Sequence, residues 1–159
     1  MNKAGKFGSP FSISPDGTDT IGNRFDFDPK KWCEFFIPSA SSLWEEAQCG
    51  SIYFDIDGER YSLSFTYKSN IGISIFYNRW NPKNISRRFS FVSQANNHTP
   101  LKSEFEFFDN GDVVPLGSFL SWSSALAVVE EFLKSPEILP TSITWVDSKT
   151  LEWPPEDSF

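Results

Sequence analysis

Histidine is the side chain most often used as a general base near neutral pH. This chain has one, His98, in the polar run Asn96-Asn97-His98-Thr99. A lone loop histidine reads as a solvated side chain, and it rules out a histidine cluster for zinc or iron. Cys33 and Cys49 are the only cysteines, at a spacing that suggests neither a disulfide framework nor a metal knuckle. Carboxylates are the remaining candidates. On strands, Asp55 and Asp57 would share a face, as would Glu104 and Glu106. Alternate strand residues lie about 6.5–7 Å apart, inside the range of about 5–9.5 Å used by glycosidase carboxylate pairs. The solvent face of any half-exposed sheet carries the same pattern. Asp55, Asp57 and Glu59 lack the twelve-residue ligand spacing of a calcium loop. The chain has no phosphate-cradling glycine loop and no nucleophile elbow. The reading is therefore a binding protein and not an enzyme, with no catalytic residue, no metal and no cofactor.

Aromatic residues are abundant, with 17 Phe, 6 Trp and 4 Tyr. They suit strands and binding surfaces better than long helices. The net charge of −7 is unevenly spread. Residues 60–103 carry seven bases and no acid, whereas residues 104–159 carry eleven acids and two bases. Opposite charges pairing across strands would cancel much of this. The basic stretch is interleaved with aromatics, including Tyr61, Phe65, Tyr67, Phe76, Tyr77, Trp80, Arg87, Arg88, Phe89 and Phe91. That combination is used by sheets that bind single-stranded nucleic acid or glycan, with Trp80 as a candidate platform. Overall acidity argues against direct nucleic-acid contact.

These residues need elements to position them. Residues 1–22, rich in Gly, Ser, Pro and Thr, read as a loose arm preceding one domain over 23–159. Residues 25–37 suit an edge strand or a packed loop. Residues 41–48 read as a short helix with a serine cap and Gly50 as its stop. Alternation then predicts strands over 52–57, 60–67, 71–80, 86–93, 101–109 and 112–116, with turns at Asp57-Gly58, Ser69-Asn70, Asn81-Pro82 and Asn110-Gly111. One long helix follows, capped by Ser121 and stopped by Pro136. Its apolar face is Ala125, Val128, Val129, Phe132 and Leu133. A last short strand around Ile143, Trp145 and Val146 precedes an acidic tail that runs over the surface. The expected fold is α+β: an antiparallel sheet of about five to seven strands, one long C-terminal helix packed on it and a short N-terminal helix. No apolar run is long enough to span a membrane and the N-terminus is not a secretory signal, so the expected location is the cytoplasm.

The C-terminal third resembles a known family. The run Val114-Pro115-Leu116-Gly117-Ser118-Phe119-Leu120 leads into the helix Ser124-Ala125-Leu126-Ala127-Val128-Val129-Glu130-Glu131-Phe132-Leu133. Pro140 with Ile143-Thr144-Trp145 then matches a closing Pro-x-x-Ile-x-Trp. Together they resemble the first-numbered immunity-protein family of bacterial polymorphic toxin systems, often encoded beside deaminase toxins. The resemblance implies a cytoplasmic inhibitor that binds a cognate toxin domain, a deaminase or nuclease, and blocks its active site. An acidic partner can occupy a cleft built for phosphate. Asp55, Asp57, Glu59, Asp109 and Asp112, around two expected hairpin tips, are the candidate contacts.

Overall fold

A computed structural model describes residues 5–7, 33–81, 83–95, 104–108 and 111–155. Its centre is a meander of antiparallel strands: β2 (Cys49–Ile56), β3 (Glu59–Lys68), β4 (Gly72–Asn81) and β5 (Asn84–Gln94). Strand β1 (Gly5–Phe7) adds to one edge, against Phe54, Tyr53 and Ile52. It lies within the segment read as an irregular arm. The other edge is closed by β9 (Thr144–Asp147), paired with β5 from Phe91 to Gln94. Alternation sets the faces. Ile52, Phe54, Ile56, Leu63, Phe65, Ile73, Ile75 and Tyr77 are all buried on one side.

Two α-helices among the described residues cover that side. α1 (Ser41–Ala47) follows a 3-10 turn at Pro38–Ala40. Its N-cap is Ala40 and makes no side-chain cap bond, so the expected serine cap is displaced by one residue. Nor does Gly50 stop it: Gln48 takes the left-handed conformation at φ 63 and strand β2 begins at Cys49. Trp44 and Phe36 anchor this end against Phe65, with ring centroids 6.0 and 4.7 Å away. Residues 34–36 form a 3-10 turn where an edge strand was one of two expectations.

Helix α2 (Trp122–Lys134) is 13 residues, an ordinary length and not the long helix expected, because Ser121 and Pro136 bracket it closely. The Ser121 hydroxyl accepts from the Ser124 amide. Its five expected core residues are all buried, and Phe132 packs on Phe54 and edge-on to Tyr77, at 5.7 and 6.2 Å.

The expected fifth and sixth strands do not join the main sheet. β6 (Phe105–Phe107) and β7 (Val113–Pro115) form a separate two-stranded sheet. It contributes Phe105 to a second, smaller cluster with Phe76, Val92, Val146 and Leu151, on the face away from the helices.

After a 3-10 turn at Leu116–Ser118, the two-residue strand β8 (Phe119–Leu120) pairs with β4 at Ser74 and Ile73. Strand β4 thus changes partner along one edge, from β5 at Phe76 to β8 at Ser74. The Ile75 amide falls at the seam and donates to the buried Ser93 hydroxyl at 3.0 Å. Ser93 in turn donates to the Ser118 carbonyl at 2.7 Å. The Ser118 hydroxyl gives its proton to Pro115 O, so Ser74 is the donor in the 2.6 Å Ser74–Ser118 contact. Gly72, at φ +143, admits β8 because a Cβ there would lie 2.1 Å from Leu120 O.

Candidate partner-binding surface and a basic pocket

Asp57 and Gly58 both take positive φ, 51 and 81, and join β2 to β3 in a two-residue turn of the kind that matches strand twist. Three of the candidate acids lie at this tip, but the pleat divides them. Asp55 points away from the helices and Glu59 toward them. Asp57, in the turn and exposed, follows neither. The strand-face carboxylate pair expected for Asp55 and Asp57 is therefore not formed, since alternation stops at Ile56.

Two of the three carboxylates are held by arginines. Asp55 receives Arg60 through two bonds, 2.7 and 3.0 Å. The Arg60 guanidinium lies 4.0 Å from the Tyr53 ring centroid and 5.8 Å from that of Trp80. Asp55, Arg60 and Trp80 are direct neighbours across three strands, so this is one row. The Asp55 hydrogen bond raises the Arg60 pKa above its usual range. On the opposite face Glu59 accepts from Arg79 at 2.6 Å and from the Tyr61 hydroxyl at 3.3 Å, and Arg79 sits over the Tyr61 ring.

The tip therefore sets three carboxylates against two guanidiniums, and a simple acidic prong is not what it presents. A third cross-element pair, Lys68 to Glu106 at 2.5 Å, ties β3 to β6. Three of the seven bases in 60–103 are thus matched, two of them across paired strands, so the expected cancellation is met in part.

Asp112 is exposed, beside β7, and lines a groove of about 450 Å³ with Cys49, Ser51, Thr66 and Phe76. Ser51, at that end, is four residues from Asp55 along β2, about 13 Å. Asp112 therefore does not join the Asp55 tip. Asp109 and His98 lie outside the described residues. Among the described residues no group of three or more His, Cys, Asp or Glu could hold a metal ion. No helix is long and apolar enough to cross a membrane among the described residues.

Sequence reasoning did not find a second feature on the helix-free face. A pocket of about 580 Å³ is lined by Ser64, Phe76, Asn78, Arg88, Ser90, Ser148, Lys149 and Trp153. The strand residues reach it by alternation on β3, β4 and β5. Ser148 and Lys149 come from a 3-10 turn just after β9, and Trp153 from the tail. Arg88 stood out in the sequence as part of a basic, aromatic stretch; Trp153 carried no signal beyond its type.

Scans against protein-family models, curated proteins and solved structures found no match to this chain.

Proposed function

We propose that this chain is an immunity protein that binds a cognate bacterial toxin domain, a deaminase or nuclease, and neutralises it by covering the active site without doing chemistry. The observation that carries the reading is how the resembling segment packs. The capped helix α2, the turn at Pro136 and the closing strand form one unit against the sheet. Trp145 Nε1 donates to Pro140 O at 2.7 Å, and its ring meets Tyr77 edge-on at 6.3 Å. The Pro-x-x-Ile-x-Trp run thus has a structural job, closing a short loop back onto the core.

The contact surface proposed is the β2–β3 tip with the Asp55–Arg60–Trp80 row and the Tyr53 ring beside it. Its side chains are ordered by ion pairs and ring contacts, so little rotamer freedom remains to be lost on binding. Exposed Asp57 and the net charge of −7 would steer the chain toward a basic cleft. The paired arginines supply donors for the acidic or carbonyl groups around such a cleft. The test is co-expression of the full chain with the toxin domain encoded beside it, in a sensitive host. Survival, co-purification and loss of toxin activity on titration are expected. Unchanged killing with the chain soluble and folded would overturn the reading. Within the complex, Asp57→Lys should slow association several-fold at low salt, with less effect at high salt, where screening shortens the reach of exposed charges.

A further inference from the structure

We propose that the pocket on the helix-free face binds a nucleoside 5′-phosphate, independently of the toxin reading. Its cations carry the argument. The chain is acidic overall, yet among the described residues the pocket lining holds Arg88 and Lys149 and no carboxylate. Both are exposed and neither makes a salt bridge among the described residues, unlike Arg60, Lys68 and Arg79, which are all paired. The nearby Asp147 carboxylate accepts from the Lys149 backbone amide at 3.0 Å, an Asx-type bond that holds the 3-10 turn. Two unmatched cations at one pocket suit a group of nearly two negative charges, which a phosphate monoester is and a single carboxylate or sulfate ester is not.

The walls suit the rest of the ligand. Trp153 is held by its indole N–H on Ser148 O at 2.8 Å and by Phe105, 5.1 Å between centroids, while 40% of its surface stays exposed. Phe76 stands beside it at 6.4 Å. A pre-set aromatic wall takes the flat face of a base. Asn78 supplies donors and an acceptor, and Ser64 and Ser90 supply hydroxyls, for the base edge and ribose. The volume lies within the span of about 300–1,000 Å³ typical of small-ligand pockets.

The phosphate could come from a free nucleotide or from the 5′ end of a strand, and titration calorimetry of the full chain separates these. The probes are the four nucleoside 5′-monophosphates, the matching nucleosides, inorganic phosphate, heparin disaccharides, and a short single strand with and without a 5′-phosphate. Monophosphates should bind, with nucleosides and inorganic phosphate each at least about tenfold weaker. Arg88→Gln and Lys149→Gln should each weaken binding about tenfold, and Trp153→Ala should remove most preference among bases, with melting temperatures unchanged for the two exposed cations. Preference for the phosphorylated strand over the free nucleotide assigns the source to a strand end; the reverse assigns it to the free nucleotide. No binding at millimolar nucleotide, equal binding of inorganic phosphate, or tighter binding of heparin fragments would each overturn the proposal. So would Arg88→Gln and Lys149→Gln proteins that bind like the parent. Toxin neutralisation is read in a separate assay, so either proposal can fail without the other.

Discussion

Replacing Ser93 with Ala should destabilise this protein far more than loss of one surface hydroxyl would. The Ser93 side chain is fully buried at the seam where β4 changes partner, and it bridges two backbone groups that no strand supplies with mates. The Ser93→Ala variant would leave the Ile75 N–H and the Ser118 carbonyl without that partner. A buried polar group left unsatisfied costs about 1–3 kcal/mol, so two give about 2–6 kcal/mol. Taking about 3 kcal/mol, the melting temperature should fall by about 6–12 °C for a domain of this size. The comparison is Ser74→Ala, which removes one donor while Ser118 keeps its own bond to Pro115 O, and which should cost about 1 kcal/mol. Urea melts of the parent and both variants measure the difference, and amide exchange at Ile75 should accelerate selectively in Ser93→Ala. If Ser93→Ala costs under about 1 kcal/mol, or no more than Ser74→Ala, the bridging role assigned to Ser93 is wrong.

Phe132→Ala, in urea melts, should cost about 3–5 kcal/mol, since it empties the space between Phe54 and Tyr77. Gly72→Ala should cost at least about 2 kcal/mol by the same measurement, from its positive φ and from the Leu120 carbonyl that β8 places beside it. Burial pushes the Tyr77 hydroxyl up to about 12, while in the unfolded chain it titrates near its ordinary value of 10.0. Stability from this group is therefore whole below pH 10 and is lost as pH rises toward 12, at up to about 1.4 kcal/mol per pH unit. Denaturant melts across that window should show a shallower fall in Tyr77→Phe than in the parent.

Most of the meander was legible because β2, β3 and β4 set their large apolar residues mainly on the helix-facing side, so period-two alternation in residues 52–80 is written into the sequence. Helix α2 was legible for a parallel reason, a 3.6-period face between a serine cap and a proline. What alternation cannot tell is which strand lies alongside which. Phe105 and Phe107 flank Glu106 as a main-sheet strand would, yet they pair with β7 in a separate sheet. Strand β8 has two residues, too few for a period; its place is set by Gly72 and a serine cluster spread over 44 positions.

At the candidate surface, Asp57-Gly58 marked the turn, but nothing local to Glu59 announced Arg79, 20 residues on, as its partner. The basic pocket is further from view still. Its members come from β3, β4, β5, a turn and the tail, and Trp153 sits in a stretch that reads as a surface run.

The seam between β5 and β8 also limits how a remote relative of this chain can diverge. Apolar core positions can trade Ile for Val or Phe for Leu until little identity is left. The seam has less latitude, because Gly72, Ser93 and Ser118 each answer a backbone atom and Ser74 answers the Ser118 hydroxyl. A glycine must open the strand after the turn, since Leu120 O occupies the room of any side chain. Two residues later comes a small hydroxyl, then a second one facing the orphan amide, and a third just before the capped helix, matched here by Ser74, Ser93 and Ser118. This sparse pattern, one glycine and three serines at fixed places in the topology, is a fingerprint by which ancestry could be traced after ordinary sequence likeness has faded.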